Sequence, residues 1–214
     1  MVRYSRSSIA LAAALSWLAG FVDAIGFLHL GGFFVSFMSG NSTRLAVAVS
    51  DQDWAQAAKA GGIILVFVIG VVVGSFCGHL ARQQRRLAVL SLQTCLLIGA
   101  AALYQFGFGL AGTIMLVLAM GAENTVFLRD GEVSIGLTYM TGTLVKMGQR
   151  LAAAMLGGRE LAWFPYFALW CALGSGAIVG GFSFARFGLG GLWIAAALAA
   201  CLAIVAGVMG PQEN

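Results

Sequence analysis

The sequence predicts an all-α, polytopic integral membrane protein with six full transmembrane helices, two broken or re-entrant helices and an internal pseudo-two-fold repeat. Three observations predict it. Of 214 residues, 60% are hydrophobic and only 9% charged, and twelve basic plus eight acidic side chains are too few to cover the surface of a soluble domain of this size. The apolar residues fall into eight runs separated by short polar breaks. Two of those runs carry matching polar clusters, MSGN at 38–41 and MTGT at 140–143.

The first run, Ile9–Leu28, follows Arg3 and Arg6 and continues past any plausible signal-peptide cleavage site into Asp23. It therefore reads as a retained first helix. The second, Phe33–Val49, is interrupted by MSGN. Ala57–Leu80, Leu87–Phe106 and Leu110–Leu128 follow without an internal polar cluster and match the roughly 20 apolar residues that a crossing needs. The sixth run, Val133–Leu156, is interrupted by MTGT, and Leu161–Phe184 and Leu189–Met209 complete the set. The breaks DQD at Asp51, RQQRR at Arg82, RDGE at Arg129 and GGRE at Gly157 are too short to separate domains. Residues 1–214 read as a single transmembrane domain, with repeat halves at approximately 9–106 and 110–209.

Three pairs of segments carry the repeat. FMSGNSTRL at Phe37 matches YMTGTLVKM at Tyr139, with Arg44 falling on Lys146. GFVDAIGF at Gly20 matches GAENTVFL at Gly121, which brings Asp23 near Glu123 after a one-residue shift. GVVVGSF at Gly70 matches GAIVGGF at Gly176. The matches keep their order, with offsets of 100 to 106 residues, the pattern of transporters built from duplicated halves.

Basic residues give the orientation. If all eight runs cross, RQQRR faces the side opposite Arg3 and Arg6, against the rule that basic loops stay cytoplasmic. If the second and sixth runs turn back, the amino terminus, Arg82, Arg85, Arg86, Arg129, Arg150 and Arg159 all face the cytoplasm, and Asp51, Asp53, Lys59 and Arg186 lie outside. That arrangement inverts one half relative to the other and is favoured. Eight crossings with parallel repeats is the alternative.

Backbone groups cannot stay unpaired in hydrocarbon, so a helix that stops midway is buried in protein or lines a wet cavity. Gly40 and Gly142 supply conformational freedom at such stops. Ser39, Asn41 and Ser42, and Thr141 and Thr143, are positioned to cap new helical starts, whose free N–H groups attract anions or polar oxygens. The alternative is close helix packing by small and hydroxyl residues, worth about 0.6 kcal/mol per interhelical bond. A charge near the middle of a crossing costs about 2.5 to 3.5 kcal/mol even on lenient scales. Two ion pairs are therefore expected, Asp23 with Arg44 and Glu123 with Lys146. In a functional reading the acids carry protons or contact cations; otherwise the pairs only satisfy each other, or the basic ends snorkel. Asn124, Gln93, Gln105 and Gln149 add candidate polar lining.

Other chemistries find little support. The four cysteines lie singly in apolar runs, which argues for packing over metal or disulfide, and His29 and His79, isolated near expected helix ends, read as interfacial residues rather than ligands. The scattered basic residues form no nucleic-acid patch. The five tryptophans read as interfacial anchors. No cofactor is called for.

The stretch GFVDAIGFLHLGGFFVSFMSGNSTRLAVAVS resembles the YoaK-like family of small bacterial inner-membrane proteins, whose pattern has a Gly-x-x-Asp helix and then a Phe-containing run into Met-Thr-Gly-Asn. Gly20, Asp23, Phe34, Met38, Gly40 and Asn41 stand at those places, with Ser39 where the family commonly has Thr. The match is specific over the first quarter and looser beyond it. The resemblance implies a multi-pass protein of the bacterial inner membrane and supplies no substrate.

The reading is a small-solute transporter or channel with its amino terminus cytoplasmic and the MSGN and MTGT breaks meeting near the midplane. Its partners are the lipid bilayer, an unidentified small solute or ion, and a second copy if it forms a homodimer. The alternative is a membrane scaffold or accessory subunit without flux. An intramembrane enzyme using Asp23 and Glu123 as paired carboxylates is the weakest option.

Overall fold

Eight helices form where the eight apolar runs lie. The computed structural model describes residues 6–129, 132–133, 135–158 and 161–210. The placements expected for Arg3 and Arg159 lie outside them. The helices are α1 (Arg6–His29), α2 (Met38–Ser50), α3 (Trp54–Leu80), α4 (Arg85–Gln105), α5 (Gly109–Glu123), α6 (Met140–Met155), α7 (Phe164–Phe187) and α8 (Gly191–Val208). Short 3-10 turns join α3 to α4 and α7 to α8. Four stretches are long and apolar enough to cross a bilayer: Ser7–His29, Trp54–Leu80, Arg82–Gln105 and Phe164–Val208, the last comprising α7 and α8.

Two elements depart from the expected pattern. The run Leu110–Leu128 does not stay helical throughout. Helix α5 has 15 residues, roughly 22 Å of rise, because Asn124 Nδ2 donates to the Met120 carbonyl at 3.0 Å and Thr125 Oγ1 to that of Ala122 at 2.8 Å. Such short polar side chains compete for the carbonyls of a last turn. After it the chain forms a two-residue antiparallel ladder, Leu128–Arg129 with Glu132–Val133, a small exception to the all-α expectation.

Large apolar side chains point outward along the long helices, Leu65, Phe76, Ile178, Phe182 and Ile204 among them. In water this belt would be a severe liability; in lipid it is the ordinary exterior. Small residues face inward. In α8 the buried positions are Gly191, Leu192, Ala195, Ala196, Ala199, Ala203 and Ala206, and in α3 they include Ala60, Gly70, Gly74 and Gly78. Spacings of three and four put them on one stripe, and small stripes let backbones approach closely.

Glycine contacts fix how the helices run. A Cβ at Gly176 would meet the Trp17 carbonyl, one at Gly180 that of Phe21, and one at Gly20 that of Leu173. The numbers rise together, so α1 and α7 are parallel. Likewise a Cβ at Gly70 would meet Leu118, one at Gly74 would meet Ala122, and one at Gly121 the Phe67 carbonyl, so α3 and α5 are parallel.

Polar contacts gather the helix ends into two groups. At one end Arg86 Nη2 donates to Ser8 Oγ at 3.1 Å, its guanidinium 5.1 Å from the Phe127 ring, and Arg85 Nε donates to the Thr125 carbonyl at 3.1 Å. The starts of α1 and α4 therefore lie beside the end of α5. At the other end Lys59 Nζ donates to the Leu30 carbonyl at 2.6 Å, and the His29 ring sits edge-on to Tyr104 at 5.0 Å. That end collects the finish of α1 and α4 and the start of α3.

Helix α2 starts deep in the bundle. Met38 shares a cavity with Ile64 and Phe67, in the middle of α3, while Leu45 approaches Gly61. It runs back toward the end at which α3 begins. Met140, at the start of α6, shares a cavity with Leu173 and Ala177 in the middle of α7.

The tight crossing makes a direct expectation. Gly176→Ala, which drives a methyl into the Trp17 backbone, should lower the stability of the detergent-solubilised protein by roughly 1–3 kcal/mol. Gly174→Ala, where a Cβ meets open space, should change little. Thermal melting of both variants checks the comparison, and equal midpoints would contradict the packing.

Candidate functional site

The segment between α1 and α2 is irregular, and side chains satisfy its backbone. Asp23 Oδ1 accepts the N–H groups of Val35 at 2.7 Å and Ser36 at 2.9 Å. Asn41, fully buried, binds Phe34 at both ends: its Oδ1 accepts the Phe34 N–H at 3.0 Å and its Nδ2 donates to the Phe34 carbonyl at 2.7 Å. These bonds let a non-helical chain lie inside an apolar bundle. Phe34 and Phe37 meet edge to face at 5.2 Å, and both rings cover Gly40.

The segment before α6 is tied differently. Thr138 Oγ1 donates to Asn124 Oδ1 at 2.9 Å, and Ser16 Oγ of α1 donates to the Leu137 carbonyl at 3.0 Å. Thr143 Oγ1 donates to the Tyr139 carbonyl at 3.1 Å.

Both segments border the same two cavities. One, about 520 Å³, is lined by Asp23, Phe27, Phe34 and Leu173 among others; the second, about 280 Å³, by Ser39, Phe67, Thr141 and Gly142 among others. Ser36, Phe37, Thr138 and Met140 line both. The first lies within the size range of small-molecule sites.

Of the residues singled out in the sequence, Asp23, Ser39, Thr141 and Gly142 line these cavities. Asn41, Asn124 and Thr143 lie behind them as buried supports. Gly40 packs under aromatic rings with an ordinary backbone, and neither it nor Gly142 has a positive φ, so the expected conformational strain is not used at either.

The expected ion pairs do not form among the described residues. Asp23 is held by backbone N–H groups, and Arg44 instead lays its guanidinium on the rings of Phe27 and Phe33, at 5.9 and 5.2 Å. Lys146 is exposed on α6. Glu123 is fully buried with no hydrogen bond to either carboxylate oxygen. The Gln93 amide of α4, also fully buried, lies close enough to interact with it but out of hydrogen-bonding alignment. The sequence gives a helix's residues but not the face each one presents, and here the cations turned to aromatic rings or to the exterior.

The expected capping is also corrected. Phe37 and Tyr139 are the N-cap residues of α2 and α6, and neither makes a side-chain cap. Ser42 Oγ donates instead to the Met38 carbonyl at 2.9 Å, as Thr143 does to that of Tyr139. The hydroxyls bond backward along their own helices.

Ser36 and Thr138 were not singled out, although they line both cavities. The signal was one position upstream of the segments compared: Ser36-Phe37-Met38 and Thr138-Tyr139-Met140 share hydroxyl, aromatic and Met in order.

Long apolar helices with an outward apolar belt and small residues packed inward define a multi-pass membrane protein. The chain belongs to the family described as "Protein of unknown function (DUF1275)", which matches residues 11–205. It is similar to the UPF0700 transmembrane protein RA0705 of Rhizobium meliloti (strain 1021), with 36% identity over 100% of this chain and 92% of that protein. It is also similar to the UPF0700 transmembrane protein YoaK of Bacillus subtilis (strain 168), with 26% identity over 72% of each. The YoaK-like resemblance is thereby established. No solved structure matches.

The double bond to Phe34 sets a stability test. Asn41→Ala orphans a buried N–H and a buried carbonyl, so a loss of about 1–3 kcal/mol per group is expected. Ser42→Ala removes only a bond inside α2 and should stay within about 0.5 kcal/mol of the parent. Melting curves in one detergent compare them.

Proposed function

We propose that the protein is a small-solute transporter or channel whose site lies where the two helix breaks meet. The observation that carries this reading is that the residues just before α2 and those at the start of α6, Ser36 and Phe37 with Thr138 and Met140, border the same two cavities. Two interrupted segments converging on shared cavities is the arrangement that alternating-access proteins use. A scaffold needs neither the interruption nor the space.

The architecture in this reading is six crossings, with α2 and α6 entering from opposite sides and turning back. Two sets of contacts support it as an inverted repeat. Gly20 against Leu173 corresponds to Gly121 against Phe67, and Gly176 against Trp17 to Gly70 against Leu118. The first-half partners Gly20 and Trp17 precede Gly121 and Leu118 by 101 residues, and Gly70 precedes Gly176 by 106. On this register Asp23 corresponds to Asn124, not Glu123, and both tie the end of their helix to the segment before the break. The end that gathers Arg82, Arg85 and Arg86 is cytoplasmic by the positive-inside rule, which puts the start of α1 there also. The bacterial inner membrane is the compartment in this reading, and no catalytic step is assigned.

Flux is the decisive measurement. Purified protein in liposomes should move a small solute saturably, and maleimide labelling of Ser36→Cys or Thr138→Cys, in a background without the four native cysteines, should abolish that movement. A screen of amines, organic acids and inorganic ions without any saturable flux would overturn transport. Topology is tested separately. Impermeant thiol reagents should reach cysteines at Gln83 from the cytoplasmic side and at Gln52 and Leu189 from the other; labelling of Gln83 and Gln52 from one side would exclude the six-crossing arrangement.

A further inference from the structure

Resting on the transport reading, the character of the larger cavity narrows the class of ligand. Its wall is mostly apolar and aromatic, with Phe27, Phe34 and Phe37 contributing rings. Among the described residues Asp23 is the one charged residue in that lining, and no Lys or Arg joins it. Both backbone bonds that Asp23 accepts go to Oδ1, and the Ser36 side chain also interacts with the carboxyl. Asp23 is surrounded by protein yet partly accessible, because the cavity reaches it.

A carboxylate fixed by two backbone N–H groups in a cavity whose lining includes three phenylalanines has a definite chemical preference. It repels anions at close range, and it offers a neutral polar solute only Ser36 and Thr138 hydroxyls. Thr138 already donates to Asn124. A cation gains twice, from the carboxylate and from the negative faces of the rings, and desolvated cation–π contacts are worth about 2 kcal/mol or more. Arg44 is committed to the faces of Phe27 and Phe33 and is not among the described lining residues. Inorganic ions suit the volume poorly, since about 520 Å³ of mainly apolar wall leaves most of the cavity without oxygen ligands.

We propose that this cavity binds an organic cation, an amine with an apolar body whose ammonium group meets Asp23 and whose body lies among Phe27, Phe34 and Phe37. The site is thus specific by charge at one end and permissive in shape at the other.

The test uses three probes of one shape: 3-phenylpropylammonium, 3-phenylpropanol and 3-phenylpropionate. Each is titrated calorimetrically into the full chain in zwitterionic nanodiscs, with empty nanodiscs subtracting lipid partition. The cation should bind at least about tenfold more tightly than either partner, the ratio expected when a charged hydrogen bond is lost. Asp23→Asn keeps an acceptor for Val35 and Ser36 and should erase that preference. Gly181→Phe, at a lining position where a Cβ meets nothing within 4 Å, should fill the space and abolish binding of all three. Equal or tighter binding of the alcohol or the acid, no binding at all, or an undiminished preference in folded Asp23→Asn would overturn the proposal. If Asp23→Asn does not fold, unaltered binding by Gly181→Phe overturns it instead. Amine binding without flux in liposomes would remove transport and leave this site standing. Flux of another solute class with no amine binding would remove the site alone.

Discussion

The fold depends on hydrogen bonds that hold a stretch of non-helical backbone inside an apolar bundle. Asp23 accepts the N–H groups of Val35 and Ser36, and Asn41 takes both the N–H and the carbonyl of Phe34. Without water to hand, each of those peptide groups would otherwise be exposed to hydrocarbon or to aromatic rings, at a cost of several kcal/mol. The polar residues that looked costly in an apolar run are what make the irregular chain affordable there. Their position also decides where α2 begins, and hence where the cavities lie.

The second break meets the same constraint with weaker means. Thr138, Asn124 and Ser16 supply hydroxyl and amide bonds, and among the described residues no carboxylate takes part. One side of the central space is therefore anchored by a charged group and the other by neutral ones. This difference gives the larger cavity its single acidic residue and leaves the smaller one lined by hydroxyl, aromatic and aliphatic groups. Beside it, Gln93 and Glu123 form a buried polar contact between α4 and α5 that reaches neither cavity.

Much of this was legible in the sequence, for reasons that can be traced. Eight apolar runs became eight helices because hydropathy alone sets where a chain can span or bury a helix. The starts of α2 and α6 at Met38 and Met140 coincide with the two polar clusters, since Gly and hydroxyl residues mark the places where an apolar run changes conformation. Side-chain partners were less legible. Arg44 found Phe27 and Phe33, residues no charge-pairing argument would choose, and Asp23 found backbone groups that carry no sequence signature. The early end of α5 came from Asn124 and Thr125 folding back on their own carbonyls, a local competition that a hydropathy count passes over. Ser36 and Thr138 were missed because each sits one residue outside an eye-catching motif.

The parallel pairing of α1 with α7 has a consequence for biosynthesis. The flank of α1 at Trp17, Gly20 and Phe21 fits against Gly176 and Gly180 of α7, which lies much later in the sequence, and α3 must likewise wait for α5. Helix α1 thus enters the lipid with its closest-packing surface uncovered until α7 is made. Docking of α1 is deferred until α7 has been inserted, so a chain interrupted before α7 would leave α1 as an orphan helix, a natural target for membrane quality control.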